Sequence, residues 1–453
     1  MSFNPELLLP AGTLRNMRYA YAYGADAVYA GQPRYSLRVR NNDFSLENLE
    51  VGINEAHQLG KKFFVASNLM PHNSKIKTYM ADMAPVIALK PDALIMADPG
   101  LIMMVREKWP EVPIHLSVQA NTVNYAAVKF WQSLGVSRII LSRELSLDEI
   151  EEIRQQCPNI ELEVFVHGAL CIAYSGRCLL SGYFNHRDPN QGTCTNACRW
   201  EYKVHDGDEN ELGDIEKTSQ KIEFDAMAAI NAPEAFPEIN VKRHPLADNT
   251  YLIEEKSRPG QHMPIMEDEH GTYIMNSKDL RAIQYIDRLT KIGIDSFKIE
   301  GRTKSYYYVA RTAQLYRQAI NDAIAGKEFD ATLFGKLEGL ANRGYTEGFY
   351  DRHPNQNYQN YLTGHSISHQ QKFVGEISNY DRDKGLAEVL VKNKFAIGDS
   401  LEVISPKGNQ TITLEHMESL NGVEMQEAPG GGYEIRIPLP EADYEQALIA
   451  RNL

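Results

Sequence analysis

Four of the five cysteines in this 453-residue chain lie within 28 residues, at Cys171, Cys178, Cys194 and Cys198. Six, fifteen and three residues separate successive members of this group. Thiolates are soft ligands that suit zinc and iron–sulfur clusters, and in a reducing compartment clustered thiols more often bind metal or act in catalysis than form disulfides. Cys157 stands apart in RQQCPN, where we expect a buried or turn residue at a helix end.

The spacing of the four cysteines favours an iron–sulfur cluster over zinc. Structural zinc sites usually use cysteine pairs with about two to four intervening residues. Only Cys194 and Cys198 form such a pair, because six residues separate Cys171 from Cys178. A 4Fe–4S cluster tolerates irregular spacing as long as its thiolates converge. We therefore predict a 4Fe-4S cluster, with zinc as the alternative metal and unligated or redox-active thiols as a third interpretation.

Composition is that of an ordinary globular protein, with 43% apolar and 24% charged residues, and the length suggests about two or three domains. The sequence contains no run of about eighteen apolar residues, and its start lacks the pattern of a secretory signal. We therefore expect a cytoplasmic protein with no membrane partner. The net charge of −13 argues against a generally basic nucleic-acid-binding surface but leaves room for a local basic patch.

Eight apolar strand-like segments alternate with helix-like stretches through the first two thirds of the chain. They are ELLLPAG, DAVYAG, KFFVASN, DALIMAD, IHLSVQA, RIILSRE, ELEVFVHG and SFKIEGR. Gly24, Gly60, Gly135 and Gly293 lie where a helix C-cap glycine is favoured. Eight such units predict an α/β fold, a TIM-like (β/α)8 barrel. An open doubly wound sheet is the alternative, weakened by the lack of GxGxxG after the first strand. A ninth piece, TYIMNSKDL, is expected to extend the barrel wall or mouth.

The pattern also predicts the domain organisation. We expect a barrel domain over residues 1–345 that carries the cysteines, with an insertion after strand 7 at about 203–270, where the acidic, turn-rich VHDGDENELGDIEKTSQ interrupts the alternation. A polar linker follows at 346–370. From 371 to 453 short strand-like segments separated by glycine and Asn–Gly turns predict a small all-β barrel domain.

Polar residues gather at the ends of the predicted barrel strands. They are Asn68, Asp98, Gln119, Ser142, Arg143, Glu144, His167, Glu300 and Arg302. The carboxyl ends of the strands form the active-site mouth in TIM barrels. Helix capping or packing is an equal alternative for any single one of them. Taken together, the set predicts a site.

Ten residues around the first two cysteines match a known signature position by position. They are Glu163, Phe165, Gly168, Ala169, Leu170, Cys171, Gly176, Cys178, Leu180 and Ser181. This segment resembles the collagenase-like peptidase family U32. LLLPAGT, ADAVYAG, LSRELSLDEI, MNSKDL, KIEGRTKS and RGYTEGF resemble other blocks of that family, so the resemblance extends over nearly the whole chain.

The resemblance implies hydroxylation rather than proteolysis, since characterised relatives are RNA or ubiquinone hydroxylation proteins that carry a 4Fe–4S cluster. The most similar branch forms 5-hydroxyuridine at the wobble position of tRNA and requires prephenate. It implies Cys171, Cys178, Cys194 and Cys198 as cluster ligands, and the tRNA anticodon region and prephenate as partners. An electron donor or protein partner and the oligomeric state are left open. The alternatives are a U32-type peptidase and a zinc-stabilised, non-catalytic RNA-binding protein.

The residues themselves agree with redox chemistry better than with peptide hydrolysis. The sequence has no GxSxG and no HExxH motif. Cys171 or Cys178 with His167 could form a nucleophile–base pair, but four clustered thiols exceed what such a site needs.

Five further residues are predicted to act on substrates. Arg143, Lys298 and Arg302 are candidates to bind the two carboxylates of prephenate, because guanidinium forks match carboxylates. His167 and Glu300 are candidate catalytic residues. Lys298 and Glu300 alternate with apolar residues along their strand, so pairing inside the barrel is an equal alternative, as is a structural role for His167.

Two groups of residues are candidates for RNA contact, where aromatic stacking and phosphate binding are needed. Tyr35 with Arg34, Arg38 and Arg40 offers both in one predicted loop. The second group, on the C-terminal domain, is Lys392, Lys394 and Lys407.

Overall fold

The computed structural model describes residues 3–32, 34–37, 43–170, 174, 278–340, 344–351 and 371–453, and the backbone of five short strands between 207 and 273. The chain divides into two compact units. The first comprises Met1–Ala197, Ser277–Tyr358 and His365–Leu453, and the second Cys198–Asn276 with Gln359–Gly364.

The first unit begins with seven parallel strands, each paired with the next along the chain. They are β1 (Glu6–Pro10), β2 (Ala27–Gly31), β3 (Lys62–Ser67), β4 (Ala93–Met96), β5 (Ile114–Leu116), β6 (Arg138–Ile140) and β7 (Glu161–Ala169). The helices between them are α1 (Leu14–Ala22), α2 (Leu46–Gln58), α3 (Asn73–Ala88), α4 (Pro99–Lys108), α5 (Tyr125–Ser133) and α6 (Leu147–Gln156), with a 3-10 turn at Val118–Ala120. The strands are almost entirely buried, as expected where helices cover a parallel sheet.

Local sequence signals set the helix ends. Asp98 accepts a hydrogen bond from the backbone of Leu101 at 2.8 Å, and Ser146 with Glu149 forms a capping box at the start of α6. The predicted C-cap glycines all adopt positive φ angles: Gly24, Gly60, Gly135 and Gly293. The prediction from turn chemistry is therefore confirmed.

The insertion after β7 contains most of the second unit. Its described backbone forms an antiparallel hairpin of β8 (Gly207–Glu209) and β9 (Ile215–Lys217). It also forms a three-stranded antiparallel sheet of β10 (Tyr251–Glu254), β11 (His262–Asp268) and β12 (Gly271–Tyr273).

The chain then returns to close the barrel. β13 (Asp279–Arg281), the end of the predicted ninth piece, lies antiparallel beside the end of β7 and extends the wall. A 3-10 turn, Ile283–Tyr285, leads into α7 (Ile286–Ile292), and β14 (Ser296–Ile299) then pairs in parallel with both β7 and β1. The remaining elements are α8 (Tyr306–Ile324), α9 (Thr332–Glu338) and β15 (Tyr345–Thr346). The predicted TIM-like barrel is confirmed, because β14 closes an eight-stranded parallel ring.

The C-terminal part is all-β, as predicted. Its strands are β16 (Gln371–Asp381), β17 (Leu386–Val391), β18 (Phe395–Ala396), β19 (Ser400–Ile404), β20 (Gln410–Thr413), β21 (Glu418–Ser419), β22 (Glu427–Ala428), β23 (Glu434–Pro438) and β24 (Leu448–Asn452). Seven of them form an antiparallel half-barrel in the order β20-β19-β24-β16-β17-β23-β21, and β18 pairs with β22. This sheet encloses its own apolar core. The domain limits proposed from the sequence stay predictions.

Buried polar contacts fasten this sheet to the outer helices of the barrel. The guanidinium of Arg311 on α8 donates to Glu402 at 2.8 Å, and only 1% of its side chain is exposed. The hydroxyl of Tyr23 donates to the carbonyl of Ile404 at 2.8 Å, and that of Tyr19 donates to Glu376 at 2.6 Å. The half-barrel is therefore held against α1 and α8.

We expect Glu402→Ala to lower the free energy of unfolding by about 3–5 kcal/mol, because it leaves the buried Arg311 guanidinium without its counter-charge. Urea denaturation followed by circular dichroism measures the loss. Glu424→Ala, an exposed position in the same domain, is the matched control and should change stability by about 0.5 kcal/mol or less. Equal stability of the two variants would show that the contact does not anchor the domain.

Candidate functional site

A buried carboxylate lies inside the barrel. Glu163 on β7 is fully buried and accepts hydrogen bonds from Lys298 Nζ at 2.8 Å and Arg138 Nη1 at 3.1 Å. Arg138 also contacts Glu6 at 2.5 Å and Glu161 at 2.7 Å. Burial lowers the pKa of the Lys298 ammonium, and Glu163 opposes that shift. The pairing of Lys298 inside the barrel, given as one of two alternatives from the sequence, is therefore present.

Two aromatic rings, those of Tyr29 and Phe165, lie beside Lys298 and two further cations, Arg143 and Arg302. Lys298 Nζ lies 4.3 Å from the ring centroid of Tyr29 and 5.4 Å from that of Phe165. The Arg143 guanidinium lies 4.0 Å over Phe165, and that of Arg302 lies 5.8 Å from Tyr29. The structure thus brings together all three residues predicted to bind carboxylates, around one pair of rings.

Two of these cations also hold backbone at the mouth. Arg143 Nη1 donates to the carbonyl of Ala169 at 2.8 Å, at the end of β7. Arg302 donates to the carbonyl of Leu37 at 2.6 Å and to Ser36 Oγ at 3.3 Å, in the segment after β2. The positive charge at the mouth is therefore fixed in place rather than carried on free side chains.

A β-bulge on β7 changes which side its last residues face. Lys298 is paired with Phe165, but the next residue, Ile299, is paired with His167, so the register shifts by one. Without the bulge, His167 would share the interior face with Phe165. Instead its ring packs against aromatic rings of the outer layer, 5.8 Å from Tyr308 and 5.4 Å from Tyr316.

His167 is consequently enclosed rather than presented at the mouth. Its side chain is 1% exposed, and Nδ1 lies 3.3 Å from the hydroxyl of Tyr316. Burial lowers its pKa to about 3, with Lys304 and Arg281 adding to the shift and Asp279 opposing it. The histidine is therefore neutral at physiological pH. Its predicted catalytic role stays a prediction.

Glu300, the other predicted catalytic residue, begins the loop after β14. Its backbone nitrogen donates to the carbonyl of His167 at 2.9 Å, and its carbonyl accepts from the hydroxyl of Tyr308 at 2.9 Å. The signature residue Gly168 lies against this backbone with a φ of +107°, and a Cβ there would be 2.5 Å from the Glu300 carbonyl oxygen. A larger residue at Gly168 would push apart the strand ends that form the mouth.

Several other polar residues at the strand ends have structural partners. Asp98 caps α4, which confirms the capping alternative for that residue. The amide of Asn68 donates to Ser117 Oγ at 3.3 Å, and Ser117 Oγ donates to Gln119 at 2.9 Å. These groups shape the rim through their contacts with one another.

The cysteines Cys171, Cys178, Cys194 and Cys198 lie outside the described residues, as do Arg38 and Arg40. The strand that leads to them ends at Ala169, at the mouth of the barrel. Cys157 caps the C-terminus of α6 and is buried, which confirms the prediction for that residue.

One expectation about RNA contact needs correction, and the one for the C-terminal lysines stays a prediction. Tyr35 is fully buried, and its hydroxyl donates to Asp82 at 2.5 Å, so the expectation that its ring stacks on a base is wrong. Arg34 forms an ion pair with the same carboxylate at 2.6 Å. On the C-terminal domain, Lys394 is paired with Glu427 at 2.7 Å. Residues 371–453 contain fourteen acidic and eight basic residues, a net charge of −6, which does not favour a phosphate-binding surface.

Sequence reasoning missed the residues that support the cations. Arg138 lies outside the sequence motifs, Tyr29 has no distinguishing pattern, and Glu163 enters only as part of the signature. The signal available was a charged residue in the middle of an apolar strand, ELEVFV, because a buried charge requires a partner.

Comparison with known proteins decides the family. Residues 12–360 match peptidase family U32, and residues 369–451 match the C-terminal domain of peptidase family U32. The chain belongs to peptidase family U32. The tRNA hydroxylation protein P of Escherichia coli K12 is 62% identical over 99% of this chain and 97% of its own length. The protein of the same name from Haemophilus influenzae is 58% identical, over 100% and 97%. A U32 relative named collagenase, from Porphyromonas gingivalis, is 26% identical over 96% and 95%.

We expect Glu163→Gln to lower the free energy of unfolding by about 3–5 kcal/mol, because two buried cations lose their shared counter-charge. Urea denaturation measures the change. Glu161→Gln is the matched control, since Glu161 contacts the same Arg138 but is 49% exposed, and it should cost about 1 kcal/mol or less. Equal losses in the two variants would contradict the central role of Glu163.

A pH series tests the buried state of His167. Its pKa lies below the ordinary value of 6.5, so the unfolded chain takes up a proton that the folded chain does not, and stability falls as the pH drops below about 6.5. We expect His167→Phe, measured by urea denaturation, to lose about 1.4 kcal/mol less than the parent protein between pH 7.5 and 5.5. Identical pH dependence in the two proteins would contradict burial of a neutral histidine.

Proposed function

We propose that this chain hydroxylates C5 of the wobble uridine of tRNA to form 5-hydroxyuridine, with prephenate as co-substrate. The observation that carries the proposal is 62% identity to the tRNA hydroxylation protein P of Escherichia coli over 99% of the chain. Identity at that level leaves little room for a different reaction. The relative's name states only tRNA hydroxylation. We propose the wobble position, the product 5-hydroxyuridine and the co-substrate prephenate from the sequence resemblance.

We propose Cys171, Cys178, Cys194 and Cys198 as the ligands of a 4Fe–4S cluster. The donor set fits such a group, because four thiolates in 28 residues match its soft-ligand requirement. When bound, the cluster supplies a route for electrons to a reaction at an unactivated pyrimidine carbon. The strand before the first cysteine ends at the barrel mouth, where Arg143 holds the carbonyl of Ala169.

The described residues of the mouth suit an organic acid with two carboxylates. Lys298, Arg143 and Arg302 present positive charge around the rings of Tyr29 and Phe165. Cations bind and orient carboxylates, and the ring faces offer an apolar surface beside them. The role assigned to these residues is therefore binding and orientation of prephenate.

The peptidase alternative has a specific weakness. It would pair Cys171 or Cys178 with His167 as the general base. The structure encloses His167 among tyrosine rings on the outer side of β7 and lowers its pKa to about 3 through burial. Such a histidine is a poor proton acceptor near neutral pH.

The proposed location is the cytoplasm, where tRNA is modified. In the described part of the chain no helix has the length and apolar character needed to cross a bilayer.

The substrate is tested in a bacterial strain that lacks this gene and any redundant route to 5-hydroxyuridine. We expect mass analysis of tRNA nucleosides to show loss of 5-hydroxyuridine and its derivatives, with recovery when the parent gene is returned. Cys171→Ala should fail to restore them, whereas Cys157→Ala, a buried residue outside the cysteine group, should succeed. Unchanged nucleosides in the deletion strain would refute the proposal.

The cluster is tested by metal analysis after anaerobic purification. We expect about four irons per chain and a brown chromophore, both largely lost in Cys178→Ala and retained in Cys157→Ala. Stoichiometric zinc without iron would contradict the cluster and favour the zinc-stabilised RNA-binding alternative.

A further inference from the structure

Two buried hydrogen-bonding groups at the barrel mouth have no partner within the described part of the chain. They are the Nε of Arg143 and the hydroxyl of Thr122, both shielded from solvent. The side chain of Thr122 is 1% exposed. Buried polar groups in native proteins are nearly always hydrogen-bonded, so a pair of unsatisfied ones indicates a missing partner.

The two groups belong to neighbouring segments at the barrel mouth. Thr122 follows the 3-10 turn after β5, and Arg143 follows β6, so both stand at carboxyl ends of neighbouring strands. The backbone nitrogen of Ser142 donates to the carbonyl of Thr122 at 3.1 Å, which joins the two segments directly.

One nitrogen of the Arg143 guanidinium is hydrogen-bonded, and the opposite edge of the group has no partner among the described residues. Nη1 donates to the Ala169 carbonyl at 2.8 Å, and the ring of Phe165 supports the guanidinium plane at 4.0 Å. Among the described residues its other nitrogens donate no hydrogen bond. The Nε–Nη2 edge presents two parallel N–H groups, the geometry that matches the two oxygens of a carboxylate.

The surroundings favour an anion at this point. The guanidinium of Arg143 lies 4.0 Å over the ring of Phe165, and that of Arg302 lies 5.8 Å from the ring of Tyr29, so two cations stand at the mouth. Lys298 Nζ lies 4.3 Å from the ring centroid of Tyr29 and 5.4 Å from that of Phe165. A threonine hydroxyl adds a neutral donor that a carboxylate oxygen accepts well.

We propose that the Nε–Nη2 edge of Arg143 and the hydroxyl of Thr122 form a binding site for one carboxylate group of a small organic acid. The subsite deepens the proposed function, since prephenate is the organic acid named there, and it rests on that proposal. A small acid fits better than a tRNA phosphate, because the two donors are buried and a polynucleotide backbone requires an open surface.

The test measures prephenate binding by isothermal titration calorimetry to the full, iron-loaded protein purified without oxygen. We expect Arg143→Lys, which keeps the charge but loses the fork, to weaken binding by about tenfold to a hundredfold. Thr122→Val should weaken it by about fivefold, and Thr122→Ser, which keeps the hydroxyl, should bind nearly as well as the parent. Arg106→Gln, a change on the exposed side of α4, is the control and should bind normally.

Thermal denaturation without prephenate separates a ligand-binding hydroxyl from a structural one. Thr122→Val removes a buried, unpartnered hydroxyl, so its melting temperature should equal or exceed that of the parent while prephenate binding weakens. A lower melting temperature together with normal binding would assign Thr122 a structural role and overturn the subsite.

The remaining outcomes distinguish the subsite from the proposed function. If the parent protein binds prephenate and the Arg143 and Thr122 variants bind it equally well, the subsite is wrong and the function stands. If the variants lose tRNA affinity in a filter-binding assay but keep prephenate affinity, the anion is a phosphate and the subsite is again wrong. If the parent protein does not bind prephenate at all, both the subsite and the co-substrate fail.

Discussion

The barrel is organised around one buried carboxylate. Glu163 on β7 receives Arg138 from β6 and Lys298 from β14, so three adjacent strands meet through a single side chain. Two of those strands, β7 and β14, form the pairing that lets β14 close the ring with β1. Burying a charge in this way is costly unless its partners are held in good geometry, and the parallel strands hold them there. Closure of the barrel and satisfaction of Glu163 are therefore linked.

The positive charge at the barrel mouth depends on that interaction. Because Glu163 holds Lys298 inside the barrel, the ammonium lies close to the rings of Tyr29 and Phe165, where Arg143 and Arg302 add two more cations. The bulge on β7 separates two environments within a few residues. Phe165 faces this positive interior, whereas His167 is turned into the tyrosine-rich layer outside. β7 ends at Ala169, two residues before Cys171.

Much of the fold could be predicted from the sequence because its signals are local. Apolar strand segments, capping residues and glycines such as Gly24 and Gly293 act over a few residues, and they identified the eight-stranded barrel. Tyr35 was misjudged because a tyrosine beside arginines in a polar loop gives no sign of burial, which depends on the distant residues Tyr79 and Asp82.

The site was less predictable because its features depend on register. Strict alternation along β7 places His167 with Phe165 inside the barrel, and a one-residue bulge reverses this without any mark in the sequence. Residue type was enough to propose Arg143, Lys298 and Arg302 as carboxylate ligands. Only the closed barrel shows that the three cations surround the aromatic rings of Tyr29 and Phe165. No sequence pattern marks Thr122, because what distinguishes it is a buried hydroxyl without a hydrogen-bond partner among the described residues.

We propose that the barrel mouth of this U32 protein hydroxylates uridine in tRNA with prephenate. It is tested most directly by incubating the anaerobically purified, iron-loaded protein with unmodified tRNA and prephenate, in parallel with and without dioxygen as the oxidant, and measuring 5-hydroxyuridine by mass spectrometry. The expected result is formation of 5-hydroxyuridine that requires prephenate and is lost in Arg143→Lys. Formation that is independent of prephenate, or cleavage of a peptide substrate in place of tRNA modification, would contradict the claim.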